Sequence, residues 1–541
     1  MLAERSGEPS TITALPDESR PGWWSSPRVA WFGVAGAFFL ALGICLHQLS
    51  LPGVLHGIDE YDDGFYLGTV MRLVNGTLPY KNFVYPQPPG LPLLLAPLGL
   101  FGRIVGTRTL MADIRILTAF VAATNAGLVA YLLRRRGVVP ALVGGVGLAL
   151  FPMAVAADKT LMLEPYLMLT CLIGMAVMFK GNELAGRRRL LIAGVVFGFA
   201  CTLKLWAVLP AAIALACCLP KWRRQARPLF GGVLAGFLIP TLPFFLLAPS
   251  DFLRDLVAVQ FLRHHAPDTT SAADRLMYVT GIPGLPGIAA THRLAFELGA
   301  AFAVFVAVAY IVPIRRTAFD WFALAAATLG VAAMFISPDF HFHYTYFPAV
   351  FVALLFGVAC DRVARFVGSV APRQLRLNKA LPAAISVTAI GAVAVASIWG
   401  LGQLTRYDRI NPGIITVGDK GLAVEHVVPA GACTVTDEPG LTVTANRFVP
   451  NRASCPDIVD TFSTWIAYDP NTLPPSSGPY DPDLVAAWRS WLGAADYAVL
   501  TDSPFRIPWS ADLLAWFNQN YKLISTSYGA QVYQFVGVRA P

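Results

Sequence analysis

Long apolar runs alternate with short basic clusters over the first three quarters of the chain. The runs fall at about 29–50, 112–133, 138–156, 164–180, 190–203, 205–220, 229–249, 294–314, 317–336, 344–360 and 380–402. Most approach the length that crosses a hydrocarbon core of roughly 30 Å, so eleven helical spans are expected. Between them lie Arg134–Arg136, Arg187–Arg189, the group Lys221/Arg223/Arg224/Arg227, Arg315–Arg316, and the group Arg362/Arg365/Arg373/Arg376/Lys379. Arginine and lysine concentrate on the cytoplasmic side of membrane proteins, which puts all five clusters inside. Consecutive clusters must then be joined by an even number of crossings. That parity splits 190–220 into a hairpin that turns at Lys204. It also sets the N-terminus inside and the C-terminus outside. The first run follows a polar tail, 1–28, without a small-residue cleavage site, and reads as a retained helix.

Beyond about residue 403 the apolar runs shorten and turn residues rise. ACTVTD and DYAVLTDS read as strands. PDLVAAWRSWLGAA and SADLLAWFNQNY read as amphipathic helices, the first opened by an Asp481 cap with Pro482 at the first position. The expected fold class is a multi-pass α-helical membrane protein, 29–402, with a C-terminal extracytoplasmic α/β domain, 403–541. Composition agrees: 55% of the 541 residues are hydrophobic and 14% are charged, where soluble domains carry about a quarter. The formal charge of +8 is uneven, since the last 139 residues hold thirteen acids and nine bases. Six cysteines lie in the apolar runs. Cys433 and Cys455 alone fall in the outer domain, where an oxidising compartment favours their pairing as a disulfide. Five tryptophans there, Trp465, Trp488, Trp491, Trp509 and Trp516, suit core packing before glycan stacking.

The outward-facing loops collect the polar chemistry. GIDEYDDGFYLGTVMRLVNGTLPYKNFVYPQPPG places Asp59, Glu60, Asp62 and Asp63 within five residues. A short interfacial helix is expected from Asp62 to Val74, ended by Asn75-Gly76. LPLLLAPLGLFG forms a second. The same face receives Asp158, Glu164, Lys204, Arg263, His264, His265, Asp339, His341 and His343. Each also has a local role open to it: helix caps for the acids, a snorkelling ammonium for Lys204.

The order of these motifs resembles the GT-C glycosyltransferases, integral membrane enzymes that use polyprenyl-phosphate sugars. The nearest arm holds protein O-mannosyltransferases and lipid A aminoarabinose transferases. Asp62-Asp63 with Tyr66, then Gly76-Thr77-Leu78-Pro79-Tyr80, then Pro88-Pro89 match the family's first external loop. Glu164-Pro165, the GFACTLK stretch ending in Lys204, and His343-Tyr344 follow in family order. The likeness spans the membrane region and, more loosely, the outer domain. Gln87 stands where many relatives have a lysine after an acid, and Asp63 replaces a commoner glutamate, so a divalent metal stays open and no other cofactor is implied.

The resemblance implies transfer of a monosaccharide from a polyprenyl-phosphate donor to an envelope glycan, lipoglycan or protein, outside the plasma membrane, with inversion. No nucleic acid is involved. A sugar hydroxyl is a weak nucleophile, so a carboxylate must take its proton. Asp62 is assigned as that base and Asp63 or Glu164 as the acid that orients the acceptor. Lys204, with Arg263, His264, His265, His343 and Tyr344, would hold the leaving phosphate. Asp158, Tyr66 and Tyr80 complete the candidates. A transporter or lipid flippase also has many spans, but it is built from internal repeats and mid-depth charges that this chain lacks. A third reading is an inactive relative acting as an assembly partner, against which the intact acidic pair speaks.

Overall fold

The computed structural model describes residues 29–58, 60–262, 270–282, 288–337, 339–370 and 419–538, except 471, 473 and 475–477, together with positions 391, 395 and 402. The tail 1–28, Asp59, Arg263, His264, His265 and most of the run 380–402 lie outside these.

The membrane part begins with α1 (Ala30–Leu49), followed by two helices of the first loop, α2 (Tyr61–Val74) and α3 (Gly90–Val105). Gly76, at φ 91°, takes the chain out of α2 where Asn75-Gly76 predicts the end. Then comes α4 (Thr107–Leu133), which starts five residues before the expected span. The run 138–156 is not one straight span. It divides into α5 (Val138–Ala149) and α6 (Pro152–Asp158), bent by 60°. Phe151 is extended because it precedes proline, which disfavours the helical region. Next are α7 (Leu163–Met178), a β1–β2 hairpin (Phe179–Lys180, Glu183–Leu184), α8 (Arg187–Leu203), α9 (Val208–Cys218) and α10 (Arg227–Leu247). Three short helices, α11 (Pro249–Leu253), α12 (Val259–Leu262) and α13 (Ala272–Val279), precede α14 (Ile288–Ile311), α15 (Ala318–Ile336) and α16 (Tyr346–Val370).

Ten of the eleven expected runs thus have helices in place. By length and apolarity alone, six described helical segments can cross a membrane, or seven with the bent pair. That measure does not reach eleven: α7 and α8 have 16 and 17 residues, and α9 has 11. The Lys204 hairpin is nonetheless built. A methyl added at Gly194 or Gly198 would fall 2.1 or 2.2 Å from the carbonyl oxygens of Leu229 or Val233. One at Gly232 or Gly236 would meet those of Leu191 or Val195 at 2.2 or 2.1 Å. Both sets of partners advance in the same direction, so α8 and α10 run parallel, backbone on backbone. Parallel neighbours need a return leg between them, and the stretch 205–226, with α9, supplies it.

Opposite ends of the bundle differ in chemistry. Arg136, just past α4, is buried between Asp320 at 2.5 Å and Asp361 at 3.0 Å, and Arg362 on α16 lies 3.5 Å from Asp320. Arg189 on α8 donates to the Ala176 carbonyl at the end of α7. The basic clusters therefore gather at one end. Glu164 at the start of α7, Lys204 after α8 and His343-Tyr344 before α16 lie at the other.

The C-terminal, sheet-containing domain comprises α17 (Lys420–Val427), β3 (Thr434–Thr436), α18 (Pro439–Thr444), α19 (Thr461–Tyr468), α20 (Pro482–Ala494), β4 (Tyr497–Thr501), α21 (Ala511–Asn520), β5 (Tyr521–Ser527) and β6 (Ala530–Phe535). The sheet order is β3-β4-β6-β5, with β3 parallel to β4 and the other pairs antiparallel. Asp481 and Ser510 cap α20 and α21. Cys433 and Cys455 form a disulfide. Trp465 and Trp488 are fully buried, and the other three tryptophans pack against the same core.

This domain is seated on the first loop. Arg72 of α2 pairs with Asp457 at 3.2 Å, and Arg108 in the first turn of α4 pairs with Asp419. Gly64 of α2 packs against α18 so closely that an added methyl would lie 2.3 Å from the Gly440 nitrogen. Gly64→Ala is expected to cost about 1–3 kcal/mol by overpacking, read as a lowered thermal midpoint of the detergent-solubilised protein.

Candidate active site

The site starts from the first turn of α2. Asp62 and Asp63 both suit the positive end of the helix dipole, but neighbours on a helix point about 100° apart. Asp63 turns inward. Its carboxylate is sealed between Arg115 of α4 and the Thr160 hydroxyl at 2.6 Å. Asp62 turns into a recess and keeps 32% of its side chain open.

Three other elements close on that recess. Glu164 is buried at the start of α7. Lys204 follows α8 in extended conformation, and its ammonium reaches Glu164 Oε1 at 2.6 Å. The same ammonium sits 4.0 Å from the Trp206 ring centroid and 4.1 Å from that of Tyr344, an aromatic cage that holds a cation by the ring quadrupoles. His343, in the 3-10 turn that leads into α16, places Nε2 3.9 Å from both Asp62 and Glu164. Its Nδ1 is buried without a hydrogen-bond partner among the described residues. His341 stacks on His343 and lies 3.1 Å from Asp339. Arg275 secures the end of α15, just before these histidines, by donating to the carbonyls of Met334 and Ser337.

Burial pushes the Asp62 carboxyl up from its ordinary value to about 6; His341 and Lys204 oppose the rise, while Glu164 and Asp460 add to it. Tyr66 is buried beside them, its phenol raised by burial and then by the charges of Asp62 and Glu164. Two candidates stand apart. Tyr80, at φ 67°, donates its hydroxyl to the Gln87 carbonyl at 2.6 Å and packs among Tyr85, Phe244 and Phe252, shaping the loop. Asp158 ends α6, buried and bonded to Tyr346. Glu60 is the residue before α2 and is half-buried. No three of His, Cys, Asp and Glu among the described residues are grouped to hold a metal ion.

Sequence reading missed Trp206, Tyr61, Tyr85, Arg115 and Asp460. Trp206 had a signal, two residues after a lone lysine. Tyr61 adjoins Asp62 in the chain, and Tyr85, Arg115 and Asp460 meet the site only through the fold.

The fold of the chain is similar to a known one. The crystal structure of ArnT from Cupriavidus metallidurans bound to undecaprenyl phosphate matches 94% of this chain and 98% of its own, with TM-score 0.59 and 15% identity. This chain has the GT-C fold. Two structures of the Archaeoglobus fulgidus oligosaccharyltransferase, one with Zn and sulfate and one tethered to an acceptor peptide, match at TM-scores of 0.43 and 0.47, each with 14% identity. They cover 93% and 95% of this chain and 73% and 75% of their own. No family model matches the sequence, and no curated protein does.

Proposed function

We propose that this protein is a membrane glycosyltransferase that moves a monosaccharide from a polyprenyl-phosphate donor to an acceptor at the outer face of the plasma membrane. The observation that carries the reading is an open carboxylate, Asp62, sharing one recess with a caged ammonium, Lys204. A lipid phosphate leaving the anomeric carbon gains negative charge, and Lys204 with His343 and Tyr344 is placed to receive it. Asp62 takes the proton of the attacking hydroxyl from the other side. Attack opposite the leaving phosphate inverts the anomeric centre. Glu164 orients Lys204, and Asp63 locks the start of α2 through Arg115. Undecaprenyl phosphate bound to ArnT supports a lipid of that class here.

The protein in detergent, offered radiolabelled polyprenyl-phosphate sugars with envelope extract, is expected to label the extract. Ligand-dependent transport in vesicles without any transfer would replace this reading with a transporter. The pH profile gives a second check. A base with a carboxyl raised to about 6 is protonated below that pH. The rate with limiting substrate should therefore fall as pH drops through about 6 and level off above it. A profile flat from 5 to 8 would exclude Asp62.

A further inference from the structure

The rim of the recess on the α2 side is completed by the C-terminal domain. Asp460 opens α19 and is buried; its Oδ1 accepts the Tyr61 hydroxyl at 2.9 Å and the Ser463 amide at 2.9 Å. Tyr61 immediately precedes Asp62. Its hydroxyl also accepts the Thr461 amide at 2.9 Å, and Arg506 lies 4.1 Å over its ring. Asp460 is thereby fixed next to the start of α2, close enough for its charge to act on Asp62. Tyr85 packs against the same helix. Its ring packs on Phe65 at 5.5 Å, one turn beyond Asp62, and its amide donates to Asp255 at 3.0 Å. Its hydroxyl is buried with no hydrogen-bond partner among the described residues, although the charges of Asp460 and Asp62 both reach it. A buried hydroxyl left unsatisfied is a standing cost, and where one persists it points to a ligand or solvent.

We propose that Asp460 and Tyr85 form, with Asp62, the acceptor subsite, and that the acceptor is a glycan. This rests on the transferase reading above. Two carboxylates and a phenol match adjacent sugar hydroxyls, each of which donates and accepts. A peptide side chain offers a single hydroxyl.

Two substitutions separate binding from folding. Asp460→Asn keeps an oxygen for Tyr61 and Ser463, and asparagine caps as well as aspartate. Tyr85→Phe removes only the unpartnered hydroxyl, so the thermal midpoint should not fall. With the full chain in detergent, the donor that supports wild-type transfer and a graded envelope glycan fraction, each variant should raise the acceptor KM about tenfold. Donor affinity without acceptor should stay as in the wild type. An unchanged acceptor KM in both variants, with Asp62→Asn inactive, overturns the subsite and leaves the transferase standing. Transfer to peptides and to no glycan overturns the glycan assignment. A wild type that transfers to nothing overturns the transferase and the subsite together.

Discussion

Asp62→Asn is expected to lower turnover by about 10²–10⁴-fold with the protein folded and donor still bound. Asparagine fills the same space and accepts a hydrogen bond, but it takes no proton from an attacking hydroxyl. Folding should not suffer, because the recess already disfavours a charge there: burial holds the carboxyl near 6. The neighbouring Asp63→Asn makes the contrast. That carboxylate is buried against Arg115, and its loss leaves an uncompensated cation, so stability should fall first. Turnover, donor affinity and thermal midpoint, measured side by side, separate the two. An Asp62→Asn enzyme with near wild-type turnover would remove the base from the mechanism.

Lys204→Met should show two losses that a second substitution then pulls apart. The ammonium is the partner of Glu164 at 2.6 Å, and both side chains are buried. Removing one member of a buried pair costs about 3–5 kcal/mol, because the other charge is stranded. Removing the cation also withdraws charge stabilisation from a leaving phosphate, about 10²–10³-fold in turnover. In the double variant Glu164→Gln with Lys204→Met no stranded charge remains. Its thermal midpoint should recover most of the loss while transfer stays low, a coupling that single variants cannot reveal. If transfer recovers together with stability, Lys204 is a structural residue and the phosphate is held elsewhere.

Much of this frame was legible in one dimension. The spacing of arginine clusters required an odd return crossing between α8 and α10, and the glycine contacts at 194, 198, 232 and 236 show those helices parallel. The cap at Asp481, the Asn75-Gly76 stop and the Cys433–Cys455 pair are local or isolated signals, which a chain reveals without its fold. What failed was length. Helices α7 and α8 fall short of a full span by ordinary counting, and the bend before Pro152 interrupts what reads as one apolar run. The site was legible as a set of residues and not as a set of partners. Nothing in the stretch around Asp63 names Arg115, 52 positions on, and nothing near Glu164 distinguishes a pair with Lys204 from a helix cap. Asp460 carried no mark at all, since a capping aspartate is ordinary.

The bond between Tyr61 and Asp460 joins residues 399 positions apart, and that distance has a meaning in time. At ordinary rates of synthesis, about 5–20 residues per second, some 20–80 s separate the emergence of the first from that of the second. Throughout that interval α2, which bears Asp62, lacks the partner that Asp460 gives it. Contacts of α2 with the C-terminal domain, Arg72–Asp457 included, form only once that part of the chain has been made.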